Sequence, residues 1–103
     1  MTPISLVHDA LTRGRGDVRA AGVLLEEAAS SARSQVRSLE AGWHGVAADA
    51  FFDAFAEWHR AATACLDELR RLGDGMAAAQ ASLAESDASA SAAAGALLAE
   101  VAS

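Results

Sequence analysis

Three carboxylates, Asp49, Asp53 and Glu57, recur every four residues and form a line along one face of any helix that carries them. Carboxylates in pairs can divide general-acid and general-base work, but only where a pocket drives their pKa values apart. His44 and His59 are near enough in sequence to be considered as metal ligands with Asp49 and Asp53. A metal site needs several such groups converging on one point, and single histidines on helices usually pack or face water. Cys65 is the only cysteine, so no internal disulfide forms and a structural zinc site is disfavoured. A reactive thiol wants an exposed, electropositive setting. Cys65 falls instead on an apolar stripe and reads as an inert small hydrophobe. The chain has neither a phosphate-binding loop nor a nucleophile elbow. These residues predict no catalytic site, no metal, no cofactor and no small-molecule substrate; the expectation is a protein that is not an enzyme.

The elements that position them are expected to be helices. The chain has 103 residues, enough for one domain, and 28 of them are alanine. Isoleucine and valine together number seven, five residues are aromatic, and Pro3 is the only proline. A sandwich or barrel needs more β-branched and aromatic residues than this, whereas alanine, leucine, glutamate and arginine are strong helix formers. The net charge of −6, with eight arginines and no lysine, argues against nucleic acid, because neutralising phosphates needs a basic patch. No run of eighteen apolar residues is present to span a bilayer. Met1 to Gly14 lacks the basic and apolar regions of a cleavable secretory signal; if the protein leaves its cell, the route must read folded or C-terminal features.

Two long helical patterns flank the break Gly42-Trp43-His44-Gly45. In the first, Leu11, Val18, Leu25, Ala32 and Leu39 recur every seven residues, with Ala21 and Ala28 three positions further on. This predicts a helix near residues 5–41 whose small second position admits a close partner. Gly14 and Gly16 each cost about 1 kcal/mol relative to alanine, so the first turns are expected to fray or kink and the firm helix to begin near Asp17. The second pattern runs through Phe51, Phe55, Trp58, Ala62, Cys65, Leu69, Leu72, Met76, Ala79 and Leu83 in alternating steps of four and three. It predicts a helix over 46–87, softened at Gly73 and Gly75, with an Asp67–Arg71 pair outside. Residues 1–87 thus form a hairpin, and the Ala/Ser-rich stretch 88–103 is a tail, either flexible or a helical extension.

Neither helix can bury its stripe alone. Phe51, Phe52, Phe55, Trp58 and Leu66 wrap around more than one seam, and each large side chain contributes roughly 1.5–3 kcal/mol when buried. A two-helix hairpin of this length is short of core. Two hairpins paired into a four-helix bundle close the seam, so the expected fold is an all-α antiparallel helix-turn-helix hairpin assembled as a dimer. Leu11, Val18, Leu25, Phe51, Phe55, Trp58, Leu69, Leu72 and Met76 are expected to form its core and dimer contacts.

Trp43-His44-Gly45, followed by Val46-Ala47-Ala48-Asp49-Ala50-Phe51, resembles the central signature of the WXG family. Its members, of about a hundred residues and resembling the early secretory antigenic target, are exported by type VII (ESX) secretion systems. The resemblance covers residues 5–87 and implies that Trp43 and Gly45 mark an export-related turn. It also implies a C-terminal Tyr-x-x-x-Asp/Glu motif; here Leu83-Ala84-Glu85-Ser86-Asp87 keeps the acid and replaces the tyrosine by leucine. The implied function is a non-enzymatic helical protein, exported as a folded homodimer or heterodimer and acting through protein–protein contacts. It would leave by the type VII route without a cleavable signal, from a cytoplasmic pool, with a secretion ATPase or larger effector as further partners. The alternative is an intracellular adaptor or chaperone that accompanies a larger effector or toxin.

Overall fold

The first helix starts with a side-chain cap. Thr2 is extended, with φ −88° and ψ 156°, and its Oγ1 accepts the Ser5 N–H at 3.0 Å. Pro3 follows, where its missing N–H costs nothing. The helix α1 (Pro3–Glu40) is continuous from there, so the frayed start expected before Asp17 is not observed. The cap supplies part of the reason. A Cβ built on Gly14 would lie 2.5 Å from Met76 Cε, so the missing side chain lets the two helices interlock across that position. The computed structural model describes residues 2–102; Met1 and Ser103, the two ends of the expected hairpin and tail, lie outside the described residues.

The second helix, α2 (Val46–Ala102), does not stop near residue 87 but runs through the Ala/Ser-rich stretch. Its alanines are the best helix formers available, and Gly95 alone among its last sixteen residues opposes continuation. At about 1.5 Å per residue, a 57-residue helix accounts for nearly the whole 87 Å length of the molecule. The 38-residue α1 covers only part of that length, and the last turns of α2 project beyond it. No helix is long and apolar enough to cross a membrane among the described residues.

The molecule is a rod of 87 × 18 × 16 Å with a radius of gyration of 24.1 Å. A globular chain of this length would have about 13 Å. Its surface of 7475 Å² exceeds the roughly 5,400 Å² of a compact monomer of equal mass. The missing core explains the difference. Ala29, Val36, Ala48 and Ala62 are the buried apolar residues, and no large side chain is fully buried among the described residues.

The seam between the helices is offset from the one the heptads suggest. On α1 the first position, Leu11, Val18, Leu25 and Ala32, does face α2 and is half-buried. The second position is filled by Gly22, Ala29 and Val36, four residues on; Ala21 and Ala28 are exposed, and Leu39 is too. On α2, Phe55, Ala62, Leu69, Met76 and Leu83 face inward together with Phe52, His59, Leu66, Gly73 and Gln80. Phe51, Trp58, Cys65, Leu72 and Ala79 are exposed instead. Small residues meet across the seam, as where Val18 Cγ1 would stand 3.8 Å from a Cβ on Gly73. The outer ion pairs also shift by one turn position. Asp67 binds Arg70 at 3.3 Å and Arg71 binds Glu68, in place of an Asp67–Arg71 pair. All four groups are solvated and contribute at most about 1 kcal/mol per pair.

The turn, the outer stripe and the family they identify

The reversal between helices takes five residues, Ala41 to Gly45. The Leu39 carbonyl accepts both the Gly42 N–H at 3.1 Å and the Trp43 N–H at 2.8 Å, closing the end of α1. Gly45 then adopts φ +116°, a region that a Cβ makes costly. From that position its carbonyl accepts the Asp49 N–H at 3.0 Å and begins α2. Asp49 itself lies in the first turn of α2, where a carboxylate favours the positive end of the helix dipole.

Trp43 folds its ring back onto α2. Its centroid lies 5.6 Å from Phe51 and 5.7 Å from Phe52, and those two phenylalanines are themselves 5.7 Å apart. The tilted and edge-on geometries are those that aromatic quadrupoles prefer. This three-ring cluster holds the turn against the helix it introduces, while Trp43 remains 38% exposed. One helical turn beyond it, Phe55 and Trp58 stack with centroids 5.5 Å apart, and His59 approaches Phe55 at 6.0 Å.

The outer face of α2 carries the second feature. Phe51, Trp58, Cys65 and Leu72 form one line at seven-residue spacing, and all four are exposed. Phe55, Leu69 and Met76, together with Leu11, Val18 and Leu25 on α1, are half-buried in the hairpin. Trp58 and Leu72, expected in the core, are 45% and 52% exposed within a single hairpin.

Leu83 and Asp87 lie in the middle of a continuing helix rather than at its end, Leu83 half-buried and Asp87 exposed. They sit near the open end of the hairpin. Leu83 lies 37 positions beyond Val46 along α2, so the two motifs stand about 55 Å apart within one chain.

The carboxylates and the histidine of the turn do not converge among the described residues. Asp49, Asp53 and Glu57 are all exposed, as is His44. No group of three or more metal-binding side chains occurs among the described residues. A groove of about 590 Å³ runs along the opposite side of the hairpin, floored by Gly16, Gly22 and Gly73 and edged by Arg15, Arg19 and Asp74. The polar contact that sequence reasoning missed is Gln80, only 8% exposed. Its Oε1 accepts the Arg15 guanidinium at 2.6 Å, and its Nε2 donates to Thr12 Oγ1 at 2.7 Å and to the His8 carbonyl at 3.2 Å. A glutamine one residue beyond the expected inward Ala79 was the available signal.

A family model described as proteins of 100 residues with WXG matches residues 3–88. No curated protein and no solved structure matches the chain. The match covers α1 and α2 as far as residue 88, and contains the Trp43–Gly45 turn together with Leu83 and Asp87. The chain therefore belongs to the WXG100 family, small helical, non-enzymatic proteins secreted by type VII systems.

Proposed function

We propose that this protein is exported as a folded dimer, in which a second hairpin of the same kind covers the Phe51–Trp58–Cys65–Leu72 stripe. The observation that carries the reading is which edge of α2 the hairpin leaves open. The inner edge holds Phe52, His59, Leu66, Gly73 and Gln80, whereas the exposed edge holds Phe51, Trp58, Cys65 and Leu72. The more continuously apolar edge is the one facing water. Burying such a face is the main favourable term in association.

A second copy fits this stripe. If two α2 helices run antiparallel about a centre between Ala61 and Ala62, Trp58 meets Cys65 and Phe51 meets Leu72. Large side chains then face smaller ones, as close packing favours. The same register carries Leu83 and Asp87 of one subunit to the level of its partner's turn. Trp43, Gly45, Leu83 and Asp87 can then form one composite surface at each end of the bundle, which a 55 Å separation forbids within one chain. The protein acts by presenting that surface and its helical faces to other proteins.

Leucine at position 83 favours a second reading. A leucine offers no hydroxyl and no aromatic face, so the partner can be a different chain that supplies the tyrosine motif, or a larger effector that this chain accompanies as an adaptor.

Secretion from a host with a type VII system tests the reading. Trp43→Ala should lower the secreted fraction severalfold while light scattering still shows a dimer, and Leu83→Ala should leave export near wild type. Asp87→Ala should reduce it. Undiminished export of both Trp43→Ala and Asp87→Ala would remove the composite surface from the account. A chain that stays monomeric until a partner is added would replace the homodimer by the second reading.

A further inference from the structure

Glycines of the two helices coincide at one level of the rod. Gly14 faces Met76 and Val18 faces Gly73, which places Gly14 and Gly16 of α1 beside Gly73 and Gly75 of α2. Gly14 is explained by Met76. Gly16 and Gly75 are not explained by packing, since neither has positive φ and a Cβ on either would meet nothing within 4 Å. Alanine at these sites would make both helices stiffer at no steric cost.

The seam changes character across that level. Every buried apolar residue, Ala29, Val36, Ala48 and Ala62, lies on the turn side. On the far side the buried residue among those described is Gln80, which bonds Thr12 and the His8 carbonyl within residues 3–13 and Arg15 at the glycine level. Around it stand only half-buried Ile4, Leu11, Met76, Ala77 and Leu83, while Leu6 and Val7 are exposed. The far segment of α1 is thus fastened by a polar clasp, which water can replace bond for bond, rather than by an apolar core.

We infer that residues 3–13 of α1 form a detachable strap, hinged at the glycine level and latched by Gln80. Opening of the strap uncovers Gln80 and Leu83. These continue directly into the projecting end of α2, where Leu97, Leu98 and Val101 are already exposed. Detachment therefore lengthens the free face of α2 without disturbing the turn, the aromatic cluster or the stripe at residues 51–72. The inference does not depend on dimer formation.

Hydrogen exchange read by mass spectrometry on the full chain tests it. Amides of residues 5–13 should exchange as one group at least tenfold faster than those of 25–36, with a step in protection between 14 and 18. Gly16→Ala should slow the strap about fivefold, the factor equivalent to about 1 kcal/mol of helix propensity, and leave 25–36 unchanged. Gln80→Ala should speed the strap and leave 25–36 unchanged. A protection gradient falling smoothly toward Thr2, with no step and no response to Gln80→Ala, is ordinary end fraying and overturns the strap. Protection of 5–13 equal to that of 25–36 overturns it as well.

Discussion

Trp58→Ala is expected to raise the dissociation constant of the dimer at least thirtyfold, equivalent to about 2 kcal/mol. Within one hairpin the indole is 45% exposed and rests on Phe55, with centroids 5.5 Å apart. Its remaining face is the largest apolar surface on the stripe. Aromatic anchors near the centre of an interface dominate binding because their burial is large and their ordering cost low. Sedimentation velocity over a dilution series measures the effect. Loss of the Phe55 contact weakens the hairpin too, so circular dichroism must show the variant helical at the concentrations used. A dissociation constant within twofold of wild type would place Trp58 outside the interface.

Gly45→Ala should cost about 1–3 kcal/mol of stability, while Gly42→Ala should cost almost nothing. The two glycines stand three residues apart in the same turn and differ in one respect. Gly45 has φ +116°, and Gly42 does not have positive φ; neither position crowds a Cβ. The expected cost at Gly45 is therefore backbone strain rather than collision. It falls on the residue whose carbonyl receives the Asp49 N–H and starts α2. Urea denaturation of both variants at one protein concentration separates them. Equal midpoints for Gly42→Ala and Gly45→Ala would mean that the turn relaxes around the substitution.

The two helices, their antiparallel turn and the family were all legible in the residues, because a seven-residue apolar recurrence around a glycine-rich break has few other solutions. Which edge of each helix meets the other was not. Between residues 46 and 86 of α2 the three seven-residue series through Phe51, Phe52 and Phe55 are all free of formal charge, so the apolar sector is wide enough for two seams at once. The recurrence in steps of four and three put Phe51, Trp58, Cys65 and Leu72 on one stripe with Phe55, Ala62, Leu69 and Met76; the hairpin turns the second set inward, together with Phe52, His59, Leu66 and Gly73, and leaves the first exposed. The Gln80 clasp was hidden too: a polar residue seems misplaced at a seam until Arg15, Thr12 and the His8 carbonyl are brought to it. The sequence left residues 88–103 open between a flexible tail and a helical extension; α2 continues through them to Ala102, as alanine propensity favours. At the turn, Trp43 was identified, and its partner Phe52 was expected to pack without being assigned to it.

The most direct test of the central claim, that a second copy covers the outer stripe, uses Cys65. It is the only cysteine of the chain and is exposed on the single hairpin, between Trp58 and Leu72 on the outer stripe. The rate of its reaction with a thiol reagent should be measured on the folded protein from nanomolar to high micromolar concentration. The account predicts fast labelling in dilute solution that slows at least tenfold as concentration rises, with the same midpoint as dimer formation by sedimentation. Fast labelling at every concentration, in a chain that remains fully helical, would contradict it.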